Sequence, residues 1–67
     1  MDPRALRTFL IVCREGSISA AARALNVSQP SVSVAIAQLE RGLGGLLFAR
    51  GRQGITLTPA GLSLIHI

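Results

Sequence analysis

The chain has 67 residues, seven of them arginine and none lysine, and a formal net charge of +4. That length allows one small domain with a modest core, near the size at which isolated domains become marginal. An apolar content of 49% with only 15% charged residues excludes a disordered chain. No apolar run is long enough to span a membrane, and the start, MDPRALRTF, lacks the basic-then-apolar layout of a secretory signal. Cys13 is the sole cysteine, so an internal disulfide and a zinc site are both excluded, and a reducing, cytoplasmic setting fits. Two Phe with no Tyr or Trp leave the core to Leu, Ile, Val and Ala, which suits packed helices. The basic balance favours a polyanion, nucleic acid being the commonest, against the plainer reading of a basic protein with no such partner.

Asp2-Pro3 reads as a helix start, a capping oxygen followed by a proline at the first helical position. Leu6, Phe9, Leu10 and Cys13 then form an apolar stripe that ends at Gly16. Cys13 reads as a small buried apolar residue of that stripe. Ser17 caps a second, shorter helix, ISAAARAL, in which Ala21 and Ala22 are small enough for another helix to cross closely. Asn26 closes it, since Asn is the best non-glycine residue for a left-handed backbone, and Val27 is expected to enter the core. Ser28 caps a third helix over 29–43, with Pro30 in its first turn. Val32, Ile36, Leu39 and Leu43 supply its inner stripe, and Gly44-Gly45 ends it.

The period then changes. LLFAR (46–50) and ITLT (55–58) read as strands around the four-residue loop GRQG, a β-hairpin. Thr58-Pro59 repeats the cap-and-proline signal and opens a fourth helix. The fold class is therefore mainly α: a three-helix winged helix-turn-helix with a two-stranded hairpin wing and the start of a linker helix. In such a unit the second helix braces the third, whose N-terminal residues face base edges in the major groove. The division expected is a binding domain over 1–58 and the linker start over 59–67. The closing LSLIHI (62–67) has strand-like composition and no helical stripe. It looks like a tail translated from a sequencing adapter, and on that reading it is non-native and His66 has no function.

Residues 9–61 resemble the N-terminal DNA-binding domain of LysR-type transcriptional regulators. The pieces that carry the resemblance are GS-x3-AA-x2-L, SQP-x-VS, LE-x2-LG, LF-x-R and LT-x-AG. The resemblance implies a bacterial regulator that binds double-stranded promoter DNA as a homodimer or tetramer, with an effector domain that this chain lacks. The fragment itself would then be monomeric, with no membrane partner and no cofactor or metal. It also implies that Gln29, Pro30, Ser31 and Ser33 approach DNA at the start of the recognition helix, with Ser28 as cap and possible phosphate donor. Arg50 matches the arginine of LF-x-R, and Arg52 lies in the wing (50–55), which would follow the backbone or minor groove.

The family frequently has a polar or basic residue where this chain has Val34, and often a basic one at Ala37. Val34 is either a contact for a thymine methyl or a plain surface valine. Ser31 and Ser33 divide between DNA contact and solvation. Arg50 could instead fix the hairpin through an acidic neighbour such as Glu40. Arg4 and Arg23 are the candidates for weaker backbone contacts, while Arg7, Arg14 and Arg41 read as solvated.

An enzyme is not expected. One His, no carboxylate pair at acid–base spacing and no phosphate-cradling loop leave nothing to carry catalysis. The alternative of a different class is a winged helix used for protein interaction or dimerisation, which Val34 and Ala37 favour and the arginines and polar helix start oppose.

Overall fold

The computed structural model describes residues 3–51 and 54–65, and for Arg50 and Ile55 the backbone alone. Asp2, Arg52 and His66 lie outside the described residues. In chain order come α1 (Pro3–Glu15), α2 (Ile18–Leu25), α3 (Gln29–Leu43), β1 (Phe48–Gly51), β2 (Gly54–Leu57) and α4 (Pro59–Ile65).

The helix boundaries follow from local chemistry. Gly16 leaves α1 at φ 82°, where glycine meets no Cβ clash. Ser17 accepts the Ala20 N–H at 3.0 Å and so caps α2. Asn26 ends that helix at φ 57°, ψ 46°, its N–H donating to the carbonyls of Ala22 and Arg23. Ser28 then caps α3 by accepting the Ser31 N–H at 3.3 Å, and Gly44 closes it in the left-handed region. Helices α1, α2 and α3 pack on one another around Ala5, Phe9, Val12, Ala21, Ala22, Val32, Ile36 and Leu39. The three alanines bring the helix backbones close, as Ala21 and Ala22 lead one to expect.

The inner stripes differ in phase from the sequence reading. In α1 the buried residues are Ala5, Phe9 and Val12, whereas Leu10 is 46% exposed and Leu6 and Cys13 are half-buried. A stripe drawn through the largest residues misses Ala5, a small residue that the core nonetheless buries. Burial also pushes the Cys13 thiol above its ordinary pKa, so it remains protonated at neutral pH. Val27 and Leu43 were expected inside and lie 46% and 44% exposed. Each sits at a helix end, Val27 just past the Asn26 turn and Leu43 where α3 runs beyond the core.

The wing is a two-stranded antiparallel ribbon in which Phe48 pairs with Leu57, Ala49 with Thr56, Arg50 with Ile55 and Gly51 with Gly54. Both glycines belong to the ladder, whereas the sequence places them in the loop GRQG outside the strands. Leu46 and Leu47 lie outside the strand, and Leu47 is fully buried. Its N–H donates to Glu40 Oε2 at 2.9 Å, and its carbonyl accepts the Thr58 N–H at 3.0 Å. Thr58, read both as the last strand residue and as a helix cap, lies beyond β2 and acts as the cap. Its hydroxyl donates to the Leu46 carbonyl and accepts the Gly61 N–H at 3.2 Å, which caps α4.

Residues 62–65, strand-like in composition, continue the helix expected to open at Thr58-Pro59, and Leu64 is buried against the core while Leu62 and Ile65 face outward. The Thr58 cap starts the helix, and the one-turn spacing of Gly61 and Leu64 holds it against the hairpin. A Cβ added at Gly61 would fall 2.5 Å from the Leu47 carbonyl oxygen and 2.9 Å from Leu57 Cδ2. Gly-to-Ala exchange inside a helix ordinarily stabilises by about 1 kcal/mol. Here the backbone contact reverses the sign: Gly61→Ala is expected to destabilise by about 1–3 kcal/mol, as overpacking does. A thermal melt reads this directly. No helix among the described residues is long and apolar enough to cross a membrane.

Candidate nucleic-acid interface

The N-terminal turn of α3 projects from the bundle with little to cover it. Ser28, Gln29, Pro30 and Ser31 are exposed, Ser33 is half-buried, and Val34 is 54% exposed. Of the first-turn donors, the Ser31 N–H is taken by Ser28, and proline contributes none. The positive end of the helix dipole therefore faces outward, surrounded by small hydroxyls and one amide, a surface suited to anions and hydrogen-bonding edges. Ser28 and Ser31 also bond to each other through their hydroxyls at 2.9 Å.

Arginines from two other elements flank this turn. Arg4 and Arg7 of α1, with Leu25, Val27 and Ser31, line a groove of about 230 Å³ between α1 and the start of α3. This gives the exposed Val27 a place, at the wall of that groove. On α2, Arg23 Nη1 donates to Ser19 Oγ at 3.3 Å, and Gln29 Nε2 donates to the same oxygen at 3.2 Å. Both described carboxylates are engaged elsewhere: Glu15 with Arg14 at 3.0 Å, and Glu40 with the Leu47 N–H. The charged side chains described around the start of α3 are therefore arginines.

Farther along α3, the outward positions Val34 and Ala37 are apolar, and Arg41 is exposed in the last turn. The structure thus brings Ser28, Gln29, Pro30, Ser31, Ser33 and Val34 onto one continuous stretch of α3. The Arg50 backbone sits in β1 opposite Ile55; its side chain and all of Arg52 lie outside what is described. Glu40, suggested by the sequence as a partner for Arg50, binds the backbone of Leu47.

Two residues escaped the sequence reading. Ser19 belongs to no motif, although its spacing of four from Arg23 places the two on one helix face, which was the available signal. Arg7, solvated on its local pattern, shares a groove with Ser31 because of how α1 packs against α3, which no local pattern encodes.

The model of the bacterial regulatory helix-turn-helix proteins of the LysR family matches residues 3–62. The chain belongs to that family. Among LysR-family relatives, it is 48% identical over 66 residues to the transcriptional regulator TfdS of Cupriavidus pinatubonensis, covering 98% of this chain and 22% of TfdS. It is 49% identical over 65 residues to GltR of Bacillus subtilis, covering 97% of this chain and again 22% of the relative. The chain thus spans about a fifth of the length of the curated relatives it matches. Among solved LysR-family structures, a regulator from Eggerthella lenta superposes with a TM-score of 0.92 at 44% identity, covering 98% of this chain and 94% of that one. The DNA-binding domain of CbnR, solved in complex with DNA, gives a TM-score of 0.92 at 39% identity, covering 98% of this chain and 76% of that one.

Proposed function

We propose that this chain is the DNA-binding domain of a bacterial transcriptional regulator, with α3 entering the major groove and the hairpin following the backbone or minor groove. The observation that carries the reading is the uncovered polar start of α3, with Arg7 beside it on α1 and Arg23 beside it on α2. The likeness to the CbnR domain crystallised with DNA supports it. In this reading residues 1–58 form the binding module and α4 begins a linker. The parent protein assembles as a dimer or tetramer, and the site is cytoplasmic. The chain acts by binding, with no catalytic step.

The work divides by chemistry. Arginines neutralise phosphates, which supplies affinity without sequence preference. Ser28, Ser31 and Ser33 add neutral hydrogen bonds at the helix start. Gln29 pairs its amide with an adenine edge, and Val34 meets a thymine methyl. Arg50 and Arg52 carry the wing's charge.

Fluorescence anisotropy with a random-sequence duplex tests the reading. Three to four arginine contacts per monomer predict a slope of log K against log salt of about −3, at roughly −0.9 per phosphate. Arg23→Ala should weaken selected and random duplexes alike and reduce that slope by about one contact's share. No binding to any duplex at low salt would favour a second reading, a winged helix used for protein interaction. The observation on its side is the apolar middle of α3, where Val34 and Ala37 face outward.

A further inference from the structure

Gln29 does not project alone. Its amide nitrogen donates to Ser19 Oγ at 3.2 Å, across ten residues of sequence and from the reading helix to the bracing one. The same oxygen accepts from Arg23 Nη1 at 3.3 Å. A serine hydroxyl has two acceptor lone pairs, and these two donors fill both. We propose that Ser19 is a positioning residue for sequence reading: it fixes the amide of Gln29 and the guanidinium of Arg23 relative to each other before DNA arrives. This rests on the DNA-binding reading of α3.

The stoichiometry of the amide suits the role. A glutamine amide has two N–H donors and a carbonyl oxygen, and the bond to Ser19 uses one donor. One N–H and the oxygen remain, which is the set that pairs with N7 and N6 of adenine. Without the anchor, an exposed glutamine samples many rotamers, and ordering it on binding costs side-chain entropy. With it, that cost is met on folding. Ser19 also ties a phosphate-seeking charge to a base-reading amide, so the register of one is set by the other. Ser19 lies in the first turn of α2 and its side-chain bonds go only to Gln29 and Arg23 among the contacts described.

A double-mutant cycle separates positioning from a structural role. The readout is the ratio of affinities for a duplex recovered by selection from a random pool and for a random duplex. Ser19→Ala is expected to lower that ratio by roughly three- to tenfold, the worth of one neutral hydrogen bond, with the thermal midpoint unchanged. In a Gln29→Ala background the same substitution should leave the ratio unaltered, because the residue acts through Gln29. Ser19→Thr, which keeps the hydroxyl, should restore it. An equal fall in both backgrounds, no fall, or a rise on Ser19→Ala overturns the proposal. If the unsubstituted chain bound duplex with no preference at all, or bound none, the fault would lie in the DNA-reading assignment itself.

Discussion

Replacing Phe9 with alanine is expected to leave the domain largely unfolded at room temperature. Phe9 is completely buried, and its ring lies 5.2 Å from that of Phe48 at an interplanar angle of 39°. These are the only two aromatic residues of the chain, and their contact ties α1 to the foot of the wing. Truncating a buried phenylalanine costs about 3–5 kcal/mol, through lost burial and the cavity left behind. A domain of this length has a total stability of roughly 3–10 kcal/mol, so the loss is of the same size as the whole. Far-ultraviolet circular dichroism with a urea titration measures it. The neighbouring Leu10→Ala is the control: Leu10 lies outside the core, and its loss should cost no more than about 0.5 kcal/mol. Comparable losses at both positions would contradict the phase of α1 described above.

Gln29→Ala should have the largest effect on function while leaving the fold intact. Gln29 is exposed at the first position of α3, and its side-chain bond goes to a single hydroxyl. A bidentate glutamine–adenine pair discriminates by about 1–3 kcal/mol, or roughly five- to 150-fold. The variant should therefore bind its selected duplex and a random one with nearly the same affinity. Its salt slope should stay that of the parent chain, because no phosphate contact is lost. Competition between the two duplexes in one anisotropy experiment reads the discrimination directly. A uniform loss on both would mean that Gln29 holds the backbone and not a base.

The helix termini were legible because each depends on two or three adjacent residues. Ser17, Asn26, Ser28 and Gly44 occupy the cap positions their chemistry demands, and α2 and α3 begin and end where those residues place them. What depended on tertiary packing was less visible. The stripe of α1 turned on Ala5, a small side chain whose burial depends on the helices packed around it. The strand-like run at 62–65 became helix because Leu64 found the core and Gly61 fitted beneath a carbonyl. Composition alone carries neither fact. The candidate interface divides in the same way. The polar start of α3 was readable from its motif, whereas the convergence of Ser19, Arg23 and Gln29 on one oxygen required the crossing of two helices.

The peptide units around Leu47 are held from both sides. Glu40 of α3 takes the N–H of Leu47, Thr58 at the head of α4 takes its carbonyl, and the Thr58 hydroxyl grips the carbonyl one residue earlier. Gly61 presses the first turn of α4 against the same backbone. These bonds couple α4 to the far end of α3 through the backbone of Leu46 and Leu47. On the proposed reading, a tilt of α4 would reach the two parts assigned to DNA through the grip on Leu47.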